Sequence, residues 1–176
     1  ERFKFCNIIG KSPKMQEVYD MIVRAAASSD SVVIHGESGV GKELVARAIH
    51  DTSQRKNAPF LPVNCGAISE SLLENEFFGH IKGAFTGAYN DKKGFLSHVQ
   101  GGTLFLDEVG ELSLNMQIKL LRAIEGGGYS PVGSNEVLYS DFRIVAASNL
   151  NLSEEVKKGR LRSDFFYRLY VIPIDV

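Results

Sequence analysis

The chain has 176 residues, 20 of them Lys or Arg and 21 Asp or Glu, and its formal net charge is −1. This length predicts one domain, and a hydrophobic share of 44% with a charged share of 23% excludes wholesale disorder. The near-zero charge argues against binding nucleic acid by bulk electrostatics. Cys6 and Cys65 are too few for a disulfide framework and indicate reduced thiols in a cytosolic protein. Because no apolar run reaches the roughly 18 residues that span a bilayer, we expect no membrane segment.

Helical and strand patterns alternate along the chain. After a short opening loop, Ser12 and Pro13 predict a helix start, because Ser favours the N-cap and Pro the first helical position. Short apolar runs predict strands at residues 32–35, 60–63, 104–106, 144–147 and 170–172. Apolar residues at helical spacing predict the inner faces of three helices: Met15, Val18, Ile22 and Ala25; Leu44, Ala48 and Ile49; and Leu114, Ile118, Leu121 and Ile124.

This alternation predicts the α/β fold class, with a five-stranded parallel sheet and helices on both faces. Pro62, within the strand at residues 60–63, favours either an edge strand or a strand end. Two glycine-dotted stretches, residues 76–93 and 126–140, do not fit the alternation. Long loops within a compact domain are often functional, so we expect both insertions to have a role.

The strongest general motif lies between the strand at residues 32–35 and the next helix. Residues 36–42, Gly36-Glu37-Ser38-Gly39-Val40-Gly41-Lys42, match G-x-x-x-x-G-K and are called the phosphate loop below. In this motif backbone N–H groups wrap phosphates and the lysine reaches the outer ones. Glycines allow the close approach of backbone to phosphate, and the helix N-terminus adds positive potential. The sequence therefore predicts a nucleotide phosphate site.

Carboxylates supply the rest of this predicted site. Glu43 follows Lys42 where the general motif has Ser or Thr, and a carboxylate can also meet a hard cation such as Mg²⁺. Asp107 and Glu108 end the apolar strand at residues 104–106. In phosphoryl transfer Asp107 is suited to hold Mg²⁺ and Glu108 to polarise the attacking water. The alternative is a strand end followed by a solvated acidic turn.

Further residues match one family. The sequence resembles the AAA+ ATPase domain of bacterial enhancer-binding proteins, the activators of sigma-54 RNA polymerase, from end to end. The resemblance rests on the family's signature hexapeptide, Gly83-Ala84-Phe85-Thr86-Gly87-Ala88, and on Gly36 to Glu43, Val63-Asn64-Cys65, Phe78-Gly79-His80, Gly102 to Glu108 and Arg168-Leu169. The family has glutamate after the lysine of its phosphate loop, so Glu43 supports the match.

The resemblance implies a P-loop NTPase that uses ATP and Mg²⁺. It implies a homo-oligomeric ring, usually hexameric, that remodels the closed promoter complex into an open one in the bacterial cytoplasm. Residues 76–93 are then the loop that contacts sigma-54, with Phe85 and Thr86 at its tip, and DNA is not contacted directly. The alternative for Phe85 is burial as a core anchor. Residues 126–140 resemble the companion loop, although Pro131-Val132-Gly133 stands where family members usually have Arg-Val-Gly.

The family pattern assigns two asparagines to the catalytic site. Asn64 matches the residue that holds the catalytic glutamate until the loops respond to nucleotide. Asn149 matches the sensor at the end of a central strand, where an amide can hydrogen-bond the γ-phosphate or the attacking water.

The same pattern implies that Arg162 and Arg168 are arginine fingers, which stabilise charge on a neighbouring protomer's γ-phosphate. Ile8 and Ile9 resemble the segment beside the adenine. A hydrophobic staple to the first helix explains these two isoleucines nearly as well.

On this resemblance residues 1–176 are the α/β nucleotide-binding subdomain and end before the family's helical lid. Two other functions are weighed against the ATP-driven activator. One is a P-loop kinase that phosphorylates a small molecule, and the other is a non-catalytic binding module switched by nucleotide. The hexapeptide and the paired arginines disfavour the kinase, and the presence of both Asp107 and Glu108 disfavours the non-catalytic module.

Overall fold

The computed structural model describes residues 4–176. Its strands are β1 (Lys4–Phe5), β2 (Ile8–Ile9), β3 (Val32–His35), β4 (Phe60–Asn64), β5 (Thr103–Asp107), β6 (Arg143–Ser148) and β7 (Ile172–Asp175). Its α-helices are α1 (Pro13–Ala26), α2 (Lys42–Asp51), α3 (Glu70–Phe78), α4 (Phe95–His98), α5 (Leu114–Ile124), α6 (Leu152–Lys157) and α7 (Ser163–Leu169). A 3₁₀ turn spans Val109–Glu111. Among the described residues, no helix is both long and apolar enough to cross a membrane.

The central sheet has five parallel strands in the order β4-β5-β6-β3-β7. The predicted α/β class and five-stranded parallel sheet are thus confirmed. Pro62 lies in β4 and Pro173 in β7, the two edge strands. Proline lacks an N–H for the ladder, so both positions suit it, and the predicted edge position of residues 60–63 is also confirmed.

Helices cover both faces of the sheet, each over its own apolar core. Helices α1 and α2 bury Ile22 and Ile49 on one face, while α3 and α5 bury Phe77 and Leu120 on the other. Helix α1 begins as the sequence predicts, since Ser12 Oγ accepts the Met15 N–H at 3.2 Å. With both faces covered, the strands are apolar throughout and only their ends present polar groups.

The structure differs from the prediction at both ends of the chain. The opening residues are not simply a loop, because β1 and β2 pair as an antiparallel ribbon with Cys6 at its turn. The last strand begins at Ile172 rather than residue 170. Tyr170 closes α7 by donating its N–H to Phe166 O at 2.8 Å, so helix packing overrides the strand propensity of its side chain.

Three further differences concern helices. Leu44, predicted for the inner face of α2, is 45% exposed, and the next residue, Val45, is buried instead. Residues 76–78 belong to α3, where Phe77 and Phe78 are buried, so the first irregular segment begins at Gly79. The predicted inner face of α5 was wrong in part, because Leu114 and Ile118 are 46% and 47% exposed. The buried residues of α5 are Met116, Gln117, Leu120, Leu121 and Ala123. Helix α5 is apolar over more than one face, so spacing alone does not select the face that packs.

Candidate functional site

The phosphate loop connects β3 to α2 at the carboxyl edge of the sheet. Gly39 and Gly41 have φ of 83° and 96°, a region that favours glycine, and Gly41 caps α2 without a side-chain hydrogen bond. The first N–H groups of α2 therefore face the loop without a competing acceptor from the cap, as an anion site requires. Lys42 is only 9% exposed, and its Nζ donates to Gly36 O at 2.8 Å and Glu37 O at 2.7 Å.

The other members of this motif are placed around the lysine. Glu37, Ser38 and Val40 are exposed, and Val40 N–H closes the turn on Glu37 O at 3.5 Å. Glu43 is exposed in the first turn of α2, and its Oε1 lies 3.9 Å from an Arg47 guanidinium nitrogen. Gly36 N–H donates to Ser148 O at 3.2 Å, which joins the start of the loop to the end of β6.

Asp107 and Glu108 follow β5 at the same edge. Asp107 Oδ1 accepts the Glu108 N–H at 2.9 Å, which fixes this carboxylate and leaves its second oxygen available. Glu108 has φ 53° and ψ 46°, a left-handed conformation that is strained for a residue other than glycine. Backbone strain of this kind clusters at functional sites. Gly66 borders the Glu108 side chain, because a Cβ there would lie 2.4 Å from Glu108 Oε2.

Asn64 ends β4 and pairs in register with Asp107. Its Oδ1 accepts the Gly66 N–H at 2.9 Å, which places Asn64 in the turn that borders the Glu108 carboxylate. Cys65 N–H donates to Asp107 O at 2.9 Å. Burial, and then the charges of Asp107 and Glu108, raise the pKa of the Cys65 thiol to about 12, so this thiol stays protonated and serves packing.

Asn149 immediately follows β6 and is exposed. Strand β6 lies between β5 and β3, so three adjacent parallel strands end at Asp107, Ser148 and His35. The sheet therefore brings the phosphate loop, Asn149 and the Asp107–Glu108 pair to one edge, where ligands bind in open α/β sheets.

Arg162 is the N-cap of α7 and Arg168 lies in its last turn. Within the described residues no hydrogen bond or ion pair joins either side chain to the phosphate loop. Arg162 caps the helix, and its guanidinium donates to both carboxylate oxygens of Asp164 at 3.1 and 2.9 Å. This hydrogen bond lowers the pKa of Asp164 below its ordinary value. Arg168 is exposed in the last turn. The cavity beside Arg162, about 350 Å³ in volume, is lined by Asp164 and by α5 and its following turn: Ile118, Leu121, Arg122, Glu125 and Gly127.

Ile8 and Ile9 have different surroundings. Ile8 is 8% exposed and belongs to the same apolar cluster as Val18 and Ile22 of α1, so core packing accounts for it. A hydrophobic staple in the strict sense would instead pair Lys11 with Gln16. Ile9 is 75% exposed and alone of the two is accessible to a ligand.

The hexapeptide loop, residues 83–88, is a closed turn. Gly83 N–H donates to Ala88 O at 2.8 Å, and Gly83 and Gly87 have φ of 83° and 98°. Phe85 is 44% exposed and makes an edge contact with the His80 ring, with centroids 4.9 Å apart, so it is not a core anchor. Ala84 is half-buried, Thr86 is exposed, and Ala88 is buried at the base of the loop.

The companion loop, residues 126–140, packs against the hexapeptide loop. Val132 N–H donates to Gly79 O at 2.9 Å, and Ile81 N–H donates to Val132 O at 3.2 Å. Gly133 has φ 83°, and a Cβ there would lie 2.7 Å from the Ala84 Cβ. The two insertions therefore form one unit, with glycine required at their closest approach.

Comparison with known proteins identifies the family. The family model "Sigma-54 interaction domain" matches residues 8–175. The chain belongs to the sigma-54 interaction domain family. It is 51% identical to the transcriptional regulator VasH of Vibrio cholerae over 95% of this chain and 32% of VasH. It is also 51% identical to the transcriptional regulatory protein ZraR of Escherichia coli, over 96% of this chain and 38% of ZraR. The chain thus spans about a third of the length of these relatives.

Solved structures confirm the P-loop NTPase fold of this sigma-54 interaction domain. NtrX from Brucella abortus superposes with a TM-score of 0.89 at 38% identity, covering 96% of this chain and 38% of NtrX. NtrX in complex with ATP gives 0.88 at 37% identity, over 96% of this chain and 36% of NtrX. The P-loop NTPase domain of an E. coli sigma-54 transport activator gives 0.63 at 17% identity, over 95% of this chain and 96% of that domain, and supports the fold alone.

Two residues that matter to the sigma-54 interaction domain site were not singled out from the sequence. Gly66 resembles any loop glycine until the Glu108 carboxylate is seen beside it. Gln117 is completely buried in α5, next to the segment that carries Arg162. A polar residue within an otherwise apolar helix pattern was the available signal for Gln117, but the predicted inner face of α5 omitted it.

Proposed function

We propose that this chain binds and hydrolyses Mg·ATP and uses the cycle to move its two insertion loops against sigma-54, remodelling the closed promoter complex for transcription. The observation that supports this most directly is the convergence of Lys42, Asp107 and Glu108 at one sheet edge. The solved complex of the 37% identical NtrX with ATP supports nucleotide as the ligand.

The chain's own groups account for phosphate binding and water activation. The N–H groups at the start of α2 bind phosphate oxygens, and the Lys42 ammonium exchanges its two carbonyl partners for the outer phosphates. Glu108 orients the attacking water, and its strained backbone directs its carboxylate. Asn149 donates an amide hydrogen bond to the γ-phosphate or the water.

The residues present fit a magnesium ion shared with substrate. Mg²⁺ is usually held by one or two carboxylates together with substrate phosphates and water. The described residues contain no group of three or more His, Cys, Asp or Glu that could form an all-protein metal cage. Asp107, whose second oxygen is available, would be the protein ligand, and Glu43 would contribute through water because it also faces Arg47. Bound Mg²⁺ supplies charge neutralisation at the phosphates.

Hydrolysis in trans explains why the two arginines lie away from their own phosphate loop. We assign Arg162 and Arg168 to the nucleotide of a neighbouring protomer in a homo-oligomeric ring, which we take to be a hexamer. Ile118 lines the Arg162 cavity, and both Leu114 and Ile118 are about half exposed. Apolar side chains around a charged finger suit a surface that a second copy covers.

The paired insertions provide the partner surface. Phe85 and Thr86 offer an exposed aromatic ring and a hydroxyl on the hexapeptide loop, which the companion loop supports. The partner is a protein, sigma-54 in RNA polymerase, rather than DNA, and this chain's net charge of −1 agrees with that choice. Its place of action is then the bacterial cytoplasm, where the polymerase works.

Two substitutions test the catalytic part of the proposal. Lys42→Ala should abolish nucleotide binding, whereas Glu108→Ala should bind ATP and stop turnover. Lys14→Ala, which alters an exposed lysine on α1, serves as the control. Binding is measured by titration with a fluorescent ATP analogue and turnover by phosphate release. ATP binding by Lys42→Ala, or turnover by Glu108→Ala, would contradict the assignment, and a specific activity independent of protein concentration would favour a monomeric kinase.

A further inference from the structure

One amide side chain joins Leu112, which follows the turn after the catalytic carboxylates, to the segment that carries Arg162. Gln117 on α5 is 0% exposed, and all of its hydrogen bonds go to backbone. Its Nε2 donates to Leu112 O at 2.8 Å and to Arg160 O at 3.0 Å, and its Oε1 accepts the Arg162 N–H at 2.9 Å. These partners determine the orientation of the amide, because the two carbonyl oxygens require the NH₂ group as donor and the N–H requires the amide oxygen as acceptor.

These bonds hold Arg162 from a direction that its own helix cannot supply. Arg162 is the N-cap of α7, so its N–H lies outside the helical hydrogen-bond ladder. Arg160 O, two residues earlier, receives the second bond. Gln117 therefore hydrogen-bonds the backbone on both sides of residue 161, at Arg160 O and at the Arg162 N–H.

The same segment is anchored from its other side. The Arg160 guanidinium donates to both Glu155 carboxylate oxygens at 2.6 and 2.9 Å, and Glu155 is only 5% exposed. Leu161 is 2% exposed and packs in the core beneath the sheet. The backbone before Arg162 is thus fixed, while its side chain stays on the surface.

The other partner of Gln117 lies next to the catalytic carboxylates. Leu112 directly follows the 3₁₀ turn Val109–Glu111, which follows Glu108. A shift of that turn changes the position of Leu112 O, and the amide connects this change to Arg160 and Arg162. Buried polar groups that lose their partners are costly, so the three bonds favour moving together.

We propose that Gln117 is a positioning residue for Arg162, and that it links a protomer's own catalytic edge to the finger it presents to its neighbour. This inference rests on the proposed action of Arg162 in trans. An arginine finger contributes only when its guanidinium meets the developing charge. A displacement of about 1 Å can lower a rate by about 100-fold, so an apolar side chain at this position should reduce turnover.

Rings assembled from two different variants allow the contribution of the finger to be measured separately from that of the nucleotide site. Protomers with Glu108→Ala keep both fingers but do not hydrolyse ATP, and protomers with Arg162→Ala keep the nucleotide site and Arg168 but lack the Arg162 finger. A ring of the two should hydrolyse ATP at the interfaces where they complement each other. Gln117→Leu, which has similar volume and none of the hydrogen bonds, is then added to one partner or the other.

We expect Gln117→Leu to lower hydrolysis by about tenfold or more when it is in the finger-bearing protomer. In the site-bearing protomer it should lower hydrolysis much less and leave the KM for ATP unchanged, because the Arg162 side chain is already absent there and the bond to Leu112 O is the remaining loss near the site. Equal loss in both arrangements, or no loss in the finger-bearing protomer, would overturn the proposal. Assembled rings of Glu108→Ala and Arg162→Ala that do not complement each other would instead contradict the in-trans role itself.

A second variant distinguishes loss of the hydrogen bonds from loss of folding. Gln117→Glu, protonated at a buried position, keeps an acceptor for the Arg162 N–H and one donor. It should restore part of the finger-bearing activity that Gln117→Leu loses, with melting temperatures compared for all three proteins. If the Gln117→Glu and Gln117→Leu proteins had equal melting temperatures and equal rates of ATP hydrolysis in the finger-bearing arrangement, positioning through these bonds would also be contradicted.

Discussion

The Glu108 carboxylate occupies the space that a side chain at Gly66 would need: a Cβ at Gly66 would lie 2.4 Å from the Glu108 Oε2. Asn64, which ends the neighbouring strand, holds this turn through the Gly66 N–H at 2.9 Å. We therefore infer that the proposed catalytic carboxylate is positioned by the end of β4 and the turn that follows it.

Gly66→Ala should therefore reduce catalysis without unfolding the protein. The atom in the way is the end of a flexible side chain, so we expect the Glu108 carboxylate to move. The kcat for ATP hydrolysis should fall by about 10- to 100-fold, with the ATP dissociation constant and melting temperature almost unchanged. Steady-state kinetics with binding titration checks this prediction, and an unaltered kcat would show that the Gly66 contact does not position Glu108.

The left-handed backbone conformation of Glu108 predicts a trade-off between the free energy of unfolding and catalytic activity. Both Glu108→Ala and Glu108→Gly remove the carboxylate and should stop turnover, but only glycine relieves φ 53°. The glycine variant should have a free energy of unfolding higher than the alanine variant by about 1 kcal/mol.

Glu111, in the 3₁₀ turn, supplies the matched control for this comparison. Its φ is not left-handed, so Glu111→Gly should be less stable than Glu111→Ala. Urea denaturation of the four proteins measures both differences. The same order at both positions would rule out strain relief at Glu108.

The contact between the two insertions predicts a selective loss of coupling. Gly133→Ala puts a methyl group 2.7 Å from the Ala84 Cβ and should displace the hexapeptide loop. ATP hydrolysis should continue, whereas capture of sigma-54 should be lost. Gly126→Ala is the control, because Gly126 has φ 84° but nothing within 4 Å of an added Cβ. If both variants lost capture equally, backbone strain rather than loop contact would be responsible.

His50, a buried histidine in the last turn of α2, predicts that the stability of the protein depends on pH. His50 is 3% exposed, its Nε2 lies 3.0 Å from Ala58 O, and its Nδ1 lies 2.9 Å from Thr103 Oγ1. The neutral ring satisfies both, with Nε2–H donating and Nδ1 accepting from the hydroxyl. Burial lowers the pKa of His50 below its ordinary value of 6.5, so its contribution to stability is present above that pH and is lost as pH falls below it.

Urea unfolding at about pH 7.5 and about pH 5.5 measures this effect. The free energy of unfolding should decrease more for the parent protein than for His50→Gln, which cannot titrate. His98→Gln, an exposed histidine at the end of α4, should retain the parent's pH dependence. Equal pH dependence in the parent and His50→Gln would assign the change to other groups.

Local chemistry made much of the fold and of the phosphate site predictable. Ser12 and Pro13 specify a helix start on their own, and Pro62 indicates an edge strand because its missing N–H cannot be compensated in the middle of a sheet. The phosphate loop and the Asp107–Glu108 pair are likewise continuous in sequence, so their residue types were visible together.

Features that depend on packing between distant segments were not predictable in this way. Which face of α5 is buried depends on the sheet and on α7, and the chosen face exposes Leu114 and Ile118. The roles of Gly66 and Gln117 arise from neighbours more than 40 positions away, Glu108 and Arg162 respectively. Tyr170 favours a strand by propensity, yet it closes a helix once Phe166 is in place.

The most direct test of the account is whether sigma-54 is captured only when the site holds an ATP transition-state mimic. Capture on immobilised sigma-54 is compared for the protein alone, with ADP, and with ADP plus aluminium fluoride. We expect capture with the mimic alone, and we expect Thr86→Ala to hydrolyse ATP at the parent rate without being captured. Capture regardless of nucleotide, or capture of Thr86→Ala at the parent level, would contradict it.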